Sequence, residues 1–176
     1  MSMGGYLAAR AAAFEHRFRA AIFFGGVYDV HQALHHMLPK DALSALDAGD
    51  RQTCEAIVRA GMKLHTGLRW AVTQGVWSFG AASISDFIQE TKRYTMKDVI
   101  GQIKCPCLVI EAEGDMFFKG QPQEVYDALK SPRLLFEFTS EDGAENHCQS
   151  GALAYKAEVV FNWIDETLSL RDGHKV

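Results

Sequence analysis

The chain has 176 residues, 48% of them hydrophobic and 23% charged, a composition ordinary for one globular domain and too short for two large ones. Lysine and arginine number 18 against 22 aspartate and glutamate, and the net charge of −4 argues against a nucleic-acid partner. No apolar run nears the roughly 20 residues that cross a bilayer, and the start lacks a charged segment followed by an apolar one, so neither a membrane partner nor a signal peptide is expected. The four cysteines, Cys54, Cys105, Cys107 and Cys148, are too few and too unevenly spaced for a disulfide scaffold. A reducing, cytoplasmic setting is the expectation.

The alanine-rich stretch over residues 3–14 predicts a buried helix. Residues 20–25, Ala20-Ala21-Ile22-Phe23-Phe24-Gly25, form a continuous apolar run closed by glycine, the pattern of a parallel strand buried on both faces. Residues 27–101 show no strand pattern and predict a run of roughly four or five helices. Asp29, Asp41 and Asp50 are N-cap candidates in that run. A stretch this long between strands exceeds a crossover helix and predicts a helical insertion, of the kind that makes a lid or pocket wall. A second strand is expected over 105–112, with Pro106 near its start where a missing N–H is tolerated. A short helix over 122–129 and a third strand over 133–138 follow. The last helix is expected over 146–170, with Leu153, Ala157, Val160, Phe161, Ile164 and Leu168 as its apolar face and a frayed tail over 171–176. Strand–helix alternation implies an α/β fold with a parallel sheet and right-handed crossovers. The core is then expected from 1–26 and 102–170, interrupted by the insertion over 27–101.

In open parallel sheets, active residues sit just past the carboxyl ends of strands. Three positions fit that rule: Ser2 at the start of the first helix, Asp115 after the second strand, and His147 after the third. A serine hydroxyl is a weak nucleophile until an imidazole takes its proton, and a carboxylate fixes the imidazole's tautomer. Glu113 competes with Asp115 for the acid role, and Asp115 is preferred because it lies farther past the strand. The chain order Ser, Asp, His is that of the α/β-hydrolase triad.

The residues that carry this resemblance are Ser2-Met3-Gly4-Gly5-Tyr6-Leu7-Ala8-Ala9-Arg10, then Ile103-Lys104-Cys105-Pro106-Cys107-Leu108-Val109-Ile110 with Asp115, and Glu141-Asp142-Gly143-Ala144-Glu145-Asn146-His147-Cys148-Gln149. Over essentially the whole chain the sequence resembles the C-terminal part of an α/β-hydrolase. It is most similar in pattern to the helical-lid serine hydrolases, a group with dihydropseudooxynicotine hydrolase and the fungal hydrolases that shorten polyketides in pigment pathways. The resemblance implies Ser2 as nucleophile, His147 as general base and acid, Asp115 as its orienting partner, and the Met3 N–H as an oxyanion donor. It implies no cofactor and no metal. It implies a small-molecule ester, amide or activated C–C substrate. The family pattern is Gly-x-Ser-x-Gly, and here Met1 occupies the position before serine, so the first glycine and the strand feeding the elbow are absent. The fold expected is therefore a truncated α/β-hydrolase with three parallel strands and a helical lid insertion. Impaired turnover follows, and the exposed sheet edge is expected to find the N-terminal half or a second copy of the chain. The rival expectation is a non-catalytic fragment that serves as an interaction or self-association module.

Tyr28 and Asp29, just past the first strand, are second-tier substrate-binding candidates. Trp70, Trp77, Phe79 and Phe87 are expected in the core of the insertion, and Trp70 and Trp77 are the candidates there to line an apolar pocket for an aromatic or polyketide-like acyl group. His31, His35 and His36 share helical spacing but lack a visible third ligand, so a solvated or packing cluster is expected rather than a metal site. Cys105 and Cys107 are expected to pack on one strand face, and Cys148, next to His147 in sequence, is expected to point away from it.

Overall fold

The computed structural model describes residues 1–172. The expected tail over 171–176 lies outside the described residues from residue 173 on. Two compact units emerge, one of Met1–Asp29 with Thr95–Val176 and one of Val30–Tyr94.

The first unit is built on a sheet of three parallel strands in the order β1-β2-β3, with β1 over Ala21–Phe24, β2 over Cys107–Ala112 and β3 over Arg133–Phe138. The apolar run of β2 makes it the central strand, buried along nearly its whole length. β2 starts two residues later than its apolar pattern suggests, at Cys107, although the Pro106 carbonyl accepts from the Ala21 N–H at 2.9 Å. Helix α1 spans Met3–Phe14 and packs on β1. The two cannot come closer: a Cβ on Gly5 would lie 2.7 Å from the Phe24 carbonyl oxygen. Gly5→Ala is therefore expected to lose about 1–3 kcal/mol of stability, the ordinary cost of overpacking, seen as a lower urea midpoint with unchanged slope.

One face of the sheet buries Leu108, Ile110, Phe138, Ala144 and Val160, joined by Ile22, Phe24, Phe136, Val159, Trp163 and Ile164. The last three lie on the final helix, numbered α8 in chain order and spanning Leu153–Asp172. This helix starts seven residues later than its polar N-terminal pattern predicts. His147–Gln149 form a single 3-10 turn instead, broken by left-handed backbone at Cys148 (φ 61°) and Gln149 (φ 53°). Its buried stripe is also rotated: Leu153 and Phe161 are exposed, while Val159 and Trp163 pack inward.

Helix α7 follows β2 at Gln121–Ala128, with proline in its first turn, where a missing N–H costs nothing. Gln121 is 2% exposed and ties α7 to the chain after β1. Its Oε1 accepts from the Tyr28 and Asp29 N–H groups at 2.8 and 2.9 Å, and its Nε2 donates to the Asp29 carbonyl at 2.8 Å.

The second unit is helical: α2 over Val30–Met37, α3 over Lys40–Asp47, α4 over Arg51–Leu64, α5 over Thr66–Ser78 and α6 over Ile84–Thr91. Its core gathers Leu34, Leu38, Leu46, Val58, Val72 and Phe87 among others. Asp50 caps α4 by accepting from the Thr53 N–H at 3.0 Å. Asp41 is not a cap: Pro39 takes that place and Asp41 falls in the first turn of α3. Among the described residues no helix is long and apolar enough to cross a membrane.

Candidate active site

Ser2 sits between Met1 and the first residue of α1. Its backbone has φ 55° and ψ −133°, a strained conformation for any residue with a Cβ. Its N–H donates to the Phe24 carbonyl at 3.1 Å, which fixes it at the carboxyl end of β1. Serine at the start of a helix ordinarily caps it, yet the Ser2 side chain makes no capping bond. The hydroxyl is thus left for other work. Met3, the first residue of α1, contributes one of the first-turn N–H groups that no helix satisfies internally. Such a group is a fixed donor for an oxyanion.

Asp115 and His147 meet directly. Asp115 stands in the turn after β2, 4% exposed, and its Oδ2 accepts from His147 Nδ1 at 2.8 Å. Its other oxygen accepts from the Phe117 and Phe118 N–H groups at 2.8 and 3.1 Å. Burial works against the carboxylate charge, but the His147 bond and these two N–H groups outweigh it and hold Asp115 below the ordinary carboxylate range. Glu113 is committed elsewhere, its Oε2 accepting from the Ser140 N–H at 2.7 Å.

Burial of the His147 ring disfavours its charge, yet the bond to Asp115 and the neighbouring Cys148 win, raising its pKa from 6.5 to about 9. Phe117 lies edge-on to the imidazole at 4.8 Å between centroids, and Phe118 is tilted against it at 5.7 Å. Sequence reasoning missed these two aromatics, although Phe117-Phe118 two residues past a candidate acid was a visible signal.

Gly25 is the ground that Ser2 and His147 share. A Cβ there would lie 4.0 Å from the Ser2 nitrogen, 4.0 Å from His147 Cε1 and 3.8 Å from Phe118 Cδ2. Its φ of +86° also favours glycine.

Tyr28 and Asp29 lie past the end of β1, half-buried and held by Gln121. Burial raises the Tyr28 hydroxyl pKa, with help from Glu124, Asp98 and Asp29 nearby. Trp70 and Trp77 are not core residues. The buried stripe of α5 is Leu68, Val72 and Gly75, and both tryptophans fall off it, 60% and 77% exposed. With Thr66, Arg69, Thr73 and Gln74 they line a shallow groove of about 520 Å³ on the helical unit. Phe87 is core, 5% exposed, with Phe79 edge-on to it at 5.3 Å. His31 bonds Thr91 Oγ1 at 2.8 Å and His35 at 3.0 Å, and Cys105 and Cys107 are buried at the start of β2.

Cys148 has left-handed backbone and is partly buried; burial of its thiol works against ionisation, but the neighbouring His147 outweighs it and holds the thiol below the ordinary cysteine value.

No protein-family profile matches the chain. Among curated proteins, it is 25% identical to hydrolase LUC6 of Fusarium sp over 97% of this chain and 42% of that protein. It is 26% identical to the alpha/beta hydrolase psoB of Aspergillus fumigatus over 97% of this chain and 41% of that protein. It is 24% identical to 20-hydroxy-prefusarin hydrolase FUS2 of Gibberella moniliformis over 97% of this chain and 42% of that protein. The chain therefore spans about two-fifths of the length of these relatives. Among solved structures, the 2,6-dihydroxy-pseudo-oxynicotine hydrolase matches with a TM-score of 0.48 and 19% identity, over 98% of this chain and 39% of that one. Over nearly its whole length, the chain is similar to part of an α/β-hydrolase.

Proposed function

We propose that this chain carries the Ser–His–Asp machinery of a serine hydrolase. The 2.8 Å bond between His147 and Asp115, with Ser2 strained at the neighbouring strand end, is the observation that carries the reading. Ser2 Oγ attacks the substrate carbonyl while His147 Nε2 takes its proton. Asp115 holds the ring by Nδ1 and stabilises the imidazolium. The Met3 N–H donates to the oxyanion. His147 then returns the proton to the leaving group, and the acyl group stays on Ser2. Water, deprotonated by the same imidazole, releases it.

The substrate class is an ester, amide or activated C–C bond with an aromatic or polyketide-like acyl group. Phe117 and Phe118 against His147 support an apolar acyl side. Tyr28 and Asp29 are the first candidates to contact it.

Asp115→Asn tests the arrangement with little change of shape. The amide would favour the wrong imidazole tautomer, and turnover of aryl acyl esters is expected to fall by about 10⁴. Turnover within about threefold of wild type would contradict the assignment, because removal of a true orienting acid does not go unnoticed.

A second reading, self-association without catalysis, has one observation in its favour. Leu7 and Phe14, 52% and 59% exposed, stand seven residues apart on one face of α1. Sedimentation showing a stable monomer would remove it.

A further inference from the structure

Helix α2 is short, eight residues over Val30–Met37, and carries three histidines. His31 and His35 stand one turn apart, so their side chains share a helix face, and His36 lies off that face. The two Nε2 atoms come to 3.0 Å from each other, with the rings edge-on at 4.5 Å between centroids. His31 is half-buried and His35 is exposed, so the pair is open to solvent on one side.

The other side of His31 is held from α6. His31 Nδ1 lies 2.8 Å from Thr91 Oγ1. Thr91 is buried, and its hydroxyl donates its one proton to the Ile88 carbonyl at 2.7 Å. The Thr91 oxygen must therefore accept, and His31 Nδ1 must donate. In the neutral ring this places the proton on Nδ1 and a lone pair on Nε2, on the side of His35. Metal-binding histidines are ordinarily presented in this way, with the second ring nitrogen donating to an oxygen that fixes tautomer and orientation.

The spacing fits an ion as well. Two imidazole nitrogens bound to one metal at about 2.0–2.1 Å, with a right angle between the bonds, stand about 3.0 Å apart. A tetrahedral centre with the same bonds needs about 3.4 Å. We propose that His31 and His35 form a two-histidine chelate for a divalent late transition metal ion that favours right-angled ligands, nickel(II) or copper(II) ahead of zinc. His35 offers Nε2 by moving its proton to Nδ1, so a neutral pair loses no proton on binding. Among the described residues no group of three or more His, Cys, Asp and Glu could hold a metal ion, so water fills the remaining positions. The bound ion ties together successive turns of a helix too short to be stable by itself.

The test is calorimetric titration of the full chain with nickel(II) chloride, in a buffer that does not itself bind metal. One ion per chain is expected. His35→Ala is expected to weaken binding by about tenfold or more, because the second ligand is no longer supplied within the same molecule. His36→Ala is expected to leave affinity within about twofold, since that ring lies off the shared face. No binding, binding indifferent to His35→Ala, or an equal loss from His36→Ala would overturn the proposal. Tighter binding of zinc(II) chloride than of nickel would contradict the right-angled geometry. Should His35→Ala not fold, the wild-type chain still decides: nickel is paramagnetic and is expected to broaden the ring-proton signals of His31 and His35 ahead of those of the other histidines. Broadening of another histidine first would overturn the site. The readout is metal binding and needs no hydrolysis, so the hydrolase reading can fail without touching it.

Discussion

Replacing Ser2 by alanine is expected to cut hydrolytic turnover by at least about 10³-fold, and replacing His147 by alanine is expected to do the same. The double variant should be no worse than either single one. The reason is mechanistic: the nucleophile and its base act as one unit, so losing one makes the other idle. Ser2 is the more informative of the two positions. Its hydroxyl makes no capping bond, so Ser2→Ala removes no helix-capping interaction. A methyl in place of the hydroxymethyl keeps the Cβ and so leaves φ 55° as strained as before. The fold is expected to keep its urea midpoint while turnover disappears. A loss of both together would assign Ser2 to structure instead. Steady-state rates on an aryl acyl ester, measured beside urea unfolding, separate the two.

The second large effect is on pH dependence. General-base action needs the neutral imidazole, and His147 is held in the charged form up to about pH 9 by Asp115 and Cys148 despite its burial. The rate constant kcat/KM is expected to rise with pH through the neutral range and level off only above about 9. Stability moves the opposite way. The folded pKa of His147 is above its unfolded value, so its contribution is full below about 6.5 and is lost as pH rises through about 9. Asp115 has a depressed pKa, so its contribution is present above the ordinary carboxylate range and is lost in acid. The chain should therefore be more active but less stable as pH rises from 7 to 9. A pH–rate profile that levels off near 6.5 would contradict the coupling of His147 to Asp115.

The parallel strands were legible because a run of four to six residues bounded by glycine or proline is too short for a helix, but only β2 is buried nearly throughout. β1, expected buried on both faces, is mostly half-buried because it lies at the sheet edge, and β3 is mostly exposed or half-buried. The third strand has the bounds expected for it, Arg133–Phe138. Asp115 and His147 were legible from their places after strands, and the structure joins them by a hydrogen bond. The turn after Asn146 was not. Left-handed backbone at Cys148 and Gln149 leaves no mark in the sequence, since neither residue favours it. That one feature delays α8. Trp70 and Trp77 misled for another reason. Bulk suggests burial, but on α5 the inward stripe belongs to smaller residues, with Gly75 making room for the Phe87 ring.

The measurement closest to the central claim is the intact mass of the chain after reaction with a fluorophosphonate, with Ser2→Ala alongside. One adduct on the wild type and none on the variant is the predicted result, because only a serine activated by a base reacts at a useful rate. No adduct on the wild type, or an equal adduct on Ser2→Ala, would contradict the assignment of Ser2 as an activated nucleophile.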